Sequence, residues 1–130
     1  MSPRTARDPA LLLVAHGSPD PDWRRPLEQL LAQLRGQLGE RVGLAYLAHA
    51  PSIEDVVASF AAAGHARVVV VAALLSPGGR HVKQDIPAAV DAARARFPAI
   101  DIDLVPGALG DDAGVISALA AATLTRLKGR

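Results

Sequence analysis

Two kinds of apolar pattern alternate along the 130-residue chain. Apolar runs of the length of β-strands occupy residues 10–15, 41–48 and 66–75, and residues 99–105 alternate between apolar and acidic positions as a more exposed strand does. Each run is followed by a segment with apolar residues at helical spacing, and these segments begin at Trp23, Ser52, Asp85 and Asp111 or Asp112. The predicted order is therefore β-α-β-α-β-α-β-α. This order gives a four-stranded parallel sheet with right-handed crossovers and helices on both faces, which is a three-layer α/β sandwich.

The ends of several predicted elements carry residues with a known local effect. Gly39 ends the first helix. Ser52 caps the second helix, with Asp55 three residues later as an approximate capping box. Pro87 is compatible with the third helix because it falls in the first turn. The last helix carries apolar residues at Val115, Ile116, Leu119, Leu124 and Leu127.

Composition narrows the class of protein. Half of the residues are hydrophobic, and the length fits one domain, predicted at 10–130 after a flexible tail at 1–9. The net charge of +1, from 14 basic and 13 acidic residues, argues against a nucleic-acid-binding protein. The absence of cysteine excludes disulfides and thiolate metal sites. No apolar run approaches the ~20 residues that cross a membrane, and no signal-type segment follows the polar N-terminus, so a soluble cytoplasmic protein is expected.

Polar residues gather at the carboxyl ends of the predicted strands, where ligands bind in open α/β sheets. The first strand is followed by His16, Gly17 and Ser18, and the second ends near His49. The third is followed by Ser76, Gly78, Gly79, Arg80 and His81, and the fourth by Pro106 and Gly107. His65 lies at the opposite edge and is predicted to be a surface residue. Three of the four histidines are therefore expected at one edge of the sheet.

Two histidines at neighbouring strand ends, each close to glycine, favour a metal site. A single histidine at a strand end is as often a structural hydrogen-bonding residue, so His16 alone decides nothing. Imidazole is the commonest side-chain metal ligand and also accepts a proton near neutral pH. The chain has no G-x-G-x-x-G fingerprint, no P-loop and no nucleophile elbow. A phosphate-ester enzyme with His16 as nucleophile is disfavoured because no arginine adjoins it in "AHG".

Three motifs occur in a specific order and spacing: "LLLVAHGSPDPDW", "APSIED" and "GGRHVKQDIP". With them, residues 11–107 resemble the small CbiX/SirB-type sirohydrochlorin chelatases. The resemblance implies the chelatase form of the flavodoxin-like fold and the insertion of Co²⁺ or Fe²⁺ into sirohydrochlorin, in cobalamin or sirohaem biosynthesis. The family's two functional histidines fall on His16 and His81, which are then metal-binding and catalytic residues. The short form of the family works as a homodimer, so a homodimer is expected here.

One stretch departs from the family pattern. The family usually has "FLEL", two residues and proline, whereas "YLAHAP" here puts Leu47 at the acidic metal-site position and Ala50 where a second glutamate is frequent. Strand alternation predicts that residues 47 and 49 share a face, so one hypothesis makes His49 the replacement metal ligand. The other makes His49 only a polar residue at a strand end. The alternative function is then a non-catalytic metal- or tetrapyrrole-binding protein of the same fold.

The expected mechanism uses the histidines twice. Neutral imidazoles bind borderline ions such as Co²⁺, Fe²⁺ and Ni²⁺, and an imidazole freed of metal accepts a proton from the macrocycle. The metal ion is a substrate, and no organic cofactor is expected. The expected substrate-binding residues are Gly17, Ser18, Ser76, Gly78, Gly79, Arg80 and Lys83.

The basic residues near the predicted site have two possible roles. Arg80 and Lys83 either pair with carboxylates of the macrocycle or are solvated surface charges. Arg24 and Arg25 are further candidates for such pairs. The candidate apolar walls of the crevice are Leu47, Leu75 and Pro77.

Overall fold

The computed structural model describes residues 8–76 and 78–130. Its strands are β1 (Ala10–Ala15), β2 (Val42–Tyr46), β3 (Arg67–Ala72) and β4 (Asp101–Leu104). Its α-helices are α1 (Pro21–Leu38), α2 (Ile53–Ala62), α3 (Ile86–Arg96) and α4 (Ala113–Leu127). Short helical turns span Gly39–Arg41, His81–Asp85 and Leu109–Asp111. The predicted order of strands and helices is confirmed.

The strands form one parallel sheet in the order β2-β1-β3-β4. β1 lies inside the sheet, where Leu12 pairs with Gly43 of β2 and with Val70 of β3. The chain leaves β1 towards β2 on one side and returns to β3 on the other, so the strand order reverses between β1 and β3. In such sheets a crevice opens at that point, outside the carboxyl ends of the strands.

Both faces of the sheet carry helices, which confirms the predicted layered α/β architecture. On one face, α2 and α3 bury a continuous apolar cluster that includes Val57, Phe60, Ile86 and Val90. On the other face, α1 packs half-buried leucines against Leu13 and Leu44 of the sheet; these are Leu27, Leu30, Leu31 and Leu34. Spacings of three and four residues put these four leucines on one side of α1, as the pattern predicts.

Helix α4 differs from the other helices because all of its residues except the half-buried Val115 are exposed. It packs mainly against the turn Leu109–Asp111 that precedes it. Its large apolar side chains are therefore exposed: Ile116 by 51%, Leu119 by 45%, Leu124 by 57% and Leu127 by 66%. Asp112 caps the helix by accepting hydrogen bonds from the N–H groups of Gly114 and Val115. The predicted helix is thus present, but its apolar side lacks a partner within the described residues.

Three predicted strands are shorter than their apolar runs. β2 ends at Tyr46, β3 spans Arg67–Ala72 and β4 spans Asp101–Leu104. β2 ends opposite Ala15, the last residue of β1, so it has no partner strand to continue along. Apolar residues after these points, such as Leu47 and Leu74, pack against the core from irregular backbone instead.

The third helix begins earlier than the sequence predicts. A π-helical turn, His81–Asp85, precedes α3, and the Ile86 N–H bonds to the His81 carbonyl five residues back. Proline inside an α-helix clashes with the carbonyl four residues earlier. The wider turn therefore makes room for Pro87 directly after it. His81 consequently lies on a helical turn and not in the predicted loop.

Two local predictions concern residues away from the sheet edge. The capping box of α2 is confirmed, since Asp55 N–H donates to the Ser52 hydroxyl and Ser52 N–H donates to the Asp55 carboxylate. These hydrogen bonds from Ser52 lower the pKa of Asp55.

Of the predicted tail, residues 1–7 lie outside the described residues, whereas the Pro9 carbonyl accepts a hydrogen bond from Arg41. No helix among the described residues has the length and apolar character needed to cross a membrane.

Candidate functional site

His16 and His81 lie against each other at the point where the strand order reverses. His16 directly follows β1, and His81 begins the turn that leads from β3 to α3. Their ring centroids are 4.5 Å apart, with an angle of 40° between the ring planes. His16 is exposed and His81 is half-buried, so both imidazoles are accessible from the crevice. The side-chain pair predicted from the strand ends is therefore close together.

The backbone around His16 is held by its neighbours. The His16 carbonyl accepts hydrogen bonds from the N–H groups of Leu47 and Ala48, at 3.1 and 2.8 Å. Gly17 has a φ of +102°, and a Cβ there would lie 2.9 Å from Nε2 of His49. Only glycine fits this position, because both the backbone angle and the neighbouring imidazole exclude a side chain. The loop after β1 is thus fixed in a way that presents the His16 ring outward.

His81 has a carboxylate partner that sequence reasoning missed. Its Nδ1 lies 2.8 Å from Oδ2 of Asp85, one helical turn later. Donation from Nδ1–H to the carboxylate leaves a lone pair on Nε2, the usual arrangement for a metal-binding histidine. Arg80 approaches the other carboxylate oxygen, with its Nε 3.7 Å from Oδ1. The i, i+4 spacing of His81 and Asp85 is the signal that could have found this pair, but it applies only if His81 is helical.

His49 occupies a different position from the one that strand alternation predicts. That prediction is wrong because β2 ends at Tyr46, so residues 47 and 49 do not lie on a regular strand. His49 Nε2 accepts a hydrogen bond from the Ser18 N–H at 3.1 Å, and Nδ1 lies 2.8 Å from the Ala50 carbonyl. Its ring also stacks on Tyr46, with centroids 4.4 Å apart. Both nitrogens already have backbone partners, so His49 supports the loop after β1.

The position of the missing carboxylate is filled by a core residue. Leu47, predicted as an apolar wall of the crevice, is half-buried and packs against the apolar cluster beneath α2 and α3. Across residues 8–76 and 78–130, no group of three His, Asp or Glu side chains is arranged to hold a metal ion. The histidine pair therefore has no third protein ligand in this part of the chain.

The loop before His81 contains most of the predicted substrate-binding residues. The Ser76 hydroxyl accepts a hydrogen bond from the Gly78 N–H at 3.2 Å. Gly79 has a φ of +87°, and its carbonyl accepts a hydrogen bond from the Lys83 N–H. Gly78, Gly79, Arg80 and Lys83 are exposed, and Leu75 is 70% exposed. Pro77, predicted as an apolar wall, lies outside the described residues.

Two cavities adjoin the histidines. One, of about 450 Å³, is lined by His16, Gly17, Ser18, Pro19, Arg24, Ala48 and His49. The other, of about 260 Å³, is mostly apolar and lies under the His81–Asp85 turn; its lining is Ala72, Val82, Ile86, Pro87 and residues 104–107. The fourth histidine, His65, packs edge-on against Phe60 at the opposite edge and is half-buried.

Comparison with known proteins gives a consistent result. The family model described as CbiX matches residues 10–125. The cobalamin (vitamin B12) biosynthesis CbiX protein from Marinobacter aquaeolei VT8 has the same fold, with a TM-score of 0.82 at 24% identity, over 94% of this chain and 97% of that one. No protein with a curated description matches the sequence significantly.

Two sirohydrochlorin chelatase structures are also similar. SirB from Bacillus subtilis subspecies spizizenii, in complex with cobalt, has a TM-score of 0.68 at 26% identity over 76% of this chain and 43% of that one. SirB from Bacillus subtilis with Fe³⁺ has a TM-score of 0.74 at 25% identity over 88% of this chain and 45% of that one. The chain thus spans a little under half the length of the SirB chains it matches.

Proposed function

Because the chain belongs to the CbiX family, we propose that it is a metal chelatase that inserts Co²⁺ or Fe²⁺ into sirohydrochlorin. Residues 10–130 act as one chelatase domain in this proposal. The observation that carries it is the pair of imidazoles, His16 and His81, 4.5 Å apart in the crevice of the sheet. The cobalt and Fe³⁺ bound to the similar SirB proteins support a metal substrate of this kind.

The spacing of the two rings is compatible with one shared ion. At a metal–nitrogen distance of about 2.1 Å, two imidazoles that bind one ion at about 90° have centroids about 4.5 Å apart. The separation between His16 and His81 is 4.5 Å. Two neutral nitrogen ligands hold a borderline divalent ion without trapping it, because the remaining positions stay open to water or to the macrocycle. A metal that must be passed on needs such modest binding.

Insertion also requires two pyrrolic N–H protons to leave the macrocycle as the ion enters. When the metal transfers, each histidine regains a free nitrogen lone pair that accepts a proton. His81 is suited to this step because Asp85 accepts from its Nδ1, which stabilises the imidazolium that forms. Two protons released for one divalent ion leave the charge balanced. The same two side chains thus serve first as ligands and then as bases.

A second candidate function is metal or tetrapyrrole binding without insertion. Leu47, packed in the core where the family pattern has an acidic group, is the observation that favours it. Titration with Co²⁺ and separately with sirohydrochlorin distinguishes the two functions. Tight binding of either one with no formation of metallated product supports the binding protein, whereas product formation supports the chelatase.

Asp85 is expected to act as a positioning residue for His81. Asparagine offers a donor as well as an acceptor, so Asp85→Asn no longer selects the Nδ1–H form of the imidazole. We expect the insertion rate to fall about tenfold to a hundredfold, the usual effect of losing such a partner. Sirohydrochlorin binding should stay unchanged. Long-range ¹H–¹⁵N spectra should show His81 Nε2 unprotonated in the parent protein and protonated in the variant.

The matched control for this substitution is Asp91→Asn. Asp91 is exposed on α3, the helix that follows the turn with Asp85, and it pairs with Arg94 at 3.0 Å, away from the histidines. If Asp85→Asn kept the insertion rate of the parent and the parent tautomer of His81, Asp85 would have no part in the mechanism.

We also propose that α4 joins two copies of the chain into a homodimer. Its apolar residues Ile116, Leu119, Leu124 and Leu127 are exposed, and α4 packs mainly on the turn before it. Half-buried Val69 and Val71 of β3 face the side of the sheet that α1 covers only in part. In the dimer, α4 of the second copy packs its apolar side against these apolar surfaces. Burial of several such side chains contributes ~1.5–3 kcal/mol each.

The expected result is a mass of twice 13.5 kDa in sedimentation equilibrium. Leu119→Glu should shift the equilibrium to the protomer, because the charge cannot be buried unpaired. Thr125→Glu, on the opposite side of α4, is the control and should leave the dimer intact. A parent protein that sediments as a single protomer at micromolar concentration would contradict the proposed dimer.

A further inference from the structure

The cleft beside His16 is lined by a cation, Arg24, that has no hydrogen-bond or ion-pair partner among residues 8–76 and 78–130. Of the residues lining this cleft, Arg24 is the charged one. The nearby carboxylate of Glu28 lines a separate cavity on the other side of Arg24 and forms no ion pair with it. The Nε atom of Arg24 is buried and has no hydrogen-bond partner. Within the described part of the chain, Arg24 also forms no ion pair. Buried donors in folded proteins are nearly always satisfied, so an unsatisfied guanidinium nitrogen indicates a missing acceptor.

The neighbouring arginines are already occupied. Arg25, the next residue in α1, pairs with Asp22 at the start of the helix. Arg80, on the other side of the histidines, approaches Asp85. Arg24 therefore differs from both, although the sequence alone favours Arg80 over Arg24 and Arg25 as a partner of the substrate.

The surroundings of Arg24 suit an anion. Tyr46 lies close by, and burial raises the pKa of its phenol, with Glu28 raising it further and Arg24 lowering it. The phenol is thus neutral and does not repel a negative group. Ser18 also lines the cleft, and its hydroxyl accepts from the Asp20 N–H while its own proton remains available. The Ser18 N–H is held by His49, which fixes the hydroxyl at the cleft wall.

We propose that this cleft, lined by His16, Ser18 and Arg24, is a binding site for a carboxylate group of the substrate. A guanidinium presents paired N–H donors in a fixed plane that matches the two oxygens of a carboxylate. The inference rests on the proposed function, because the carboxylate belongs to the rim of a macrocycle whose centre faces the histidine pair. Arg24 then sets the orientation of the macrocycle over His16, a role that no metal ligand can fill.

Binding of metal-free sirohydrochlorin tests this site separately from catalysis. Quenching of the macrocycle's fluorescence gives the dissociation constant for the parent protein and for Arg24→Gln and Arg25→Gln. We expect Arg24→Gln to weaken binding about tenfold, in line with the loss of a charge-assisted hydrogen bond, and Arg25→Gln to bind as the parent does. Arg24→Lys keeps the positive charge but lacks the paired donors, so its dissociation constant should lie between those of the parent and of Arg24→Gln. Equal dissociation constants for Arg24→Gln and Arg25→Gln would overturn the inference.

A second measurement does not depend on the identity of the substrate. The Arg24 Nε–H signal, identified by its absence in Arg24→Lys, should shift on titration with succinate, whereas the Arg25 signal should not. If sirohydrochlorin fails to bind the parent protein but succinate shifts Arg24, the proposed function is lost and the carboxylate site stands. If the Arg24 signal is unmoved by succinate and Arg24→Gln binds sirohydrochlorin normally, the carboxylate site is lost.

Discussion

Replacing either His16 or His81 with alanine is expected to lower the rate of metal insertion by about a hundredfold or more. In the proposed mechanism each imidazole has two tasks, because it binds the ion and then accepts a proton, and loss of a general base alone costs about 10²–10⁴-fold. The rings lie 4.5 Å apart, and neither belongs to the apolar core. Removal of either ring should therefore leave the fold intact. The measurement is the initial rate of Co²⁺ insertion, followed by the absorbance of the macrocycle.

The variant that lacks both His16 and His81 tests whether the two histidines act on the same ion. If the two histidines act on one ion, the protein lacking both should be little slower than either single variant, since residues that act as a unit are not additive. His65→Ala is the matched control, because His65 packs against Phe60 at the opposite edge of the sheet. Rates that fall independently and multiply in the double variant would mean that the two histidines do not share a metal ion.

Gly110→Ala is expected to destabilise the protein severely, by ~4 kcal/mol or more. A Cβ at this position would lie 1.6 Å from the carbonyl oxygen of Leu75, which is backbone and cannot rotate away. The Gly110 N–H also donates to the Leu74 carbonyl at 2.9 Å. This contact joins the segment after β4 to the segment after β3, which leads to His81. The substitution must therefore move one of the two segments at the carboxyl edge of the sheet.

Urea unfolding followed by circular dichroism tests this prediction, with Gly36→Ala as the control. Gly36 lies within α1, and a Cβ there would meet nothing within 4 Å. Alanine is the better helix former by ~1 kcal/mol, so Gly36→Ala should stabilise the protein while Gly110→Ala destabilises it. Unfolding midpoints for Gly110→Ala at or above the parent value would contradict the packing described for this edge.

Most of the fold follows from patterns that depend on neighbours along the chain. The alternation of apolar runs with helical periodicity predicts every strand and helix, and residues 10–15 match β1 without change. The lengths of the strands are harder to predict, because the end of a strand depends on its pairing partner, which is distant in sequence. Residues 47 and 48 are apolar enough for a strand, yet β1 has already stopped at Ala15.

The candidate site could also be predicted only in part. Strand order brings the ends of β1 and β3 together, so the proximity of His16 and His81 could be predicted. The partnership of His81 with Asp85 could not, because the π-helical turn that creates it depends on how the chain accommodates Pro87. The sequence left two hypotheses open for His49 for a related reason: its hydrogen bond to Ser18 spans 31 residues of sequence. The exposure of the apolar side of α4 could not be predicted either, since periodicity predicts an apolar face but not what covers it.

The most direct test of the central claim is the insertion reaction with the unaltered protein. Purified protein is mixed with sirohydrochlorin and Co²⁺, Fe²⁺ or Ni²⁺ in turn, and product formation is compared with the spontaneous reaction under the same conditions. The account predicts a clear acceleration with Co²⁺ or Fe²⁺ that disappears in the His16→Ala and His81→Ala proteins. No acceleration above the spontaneous rate with any of the three ions would contradict a chelatase function.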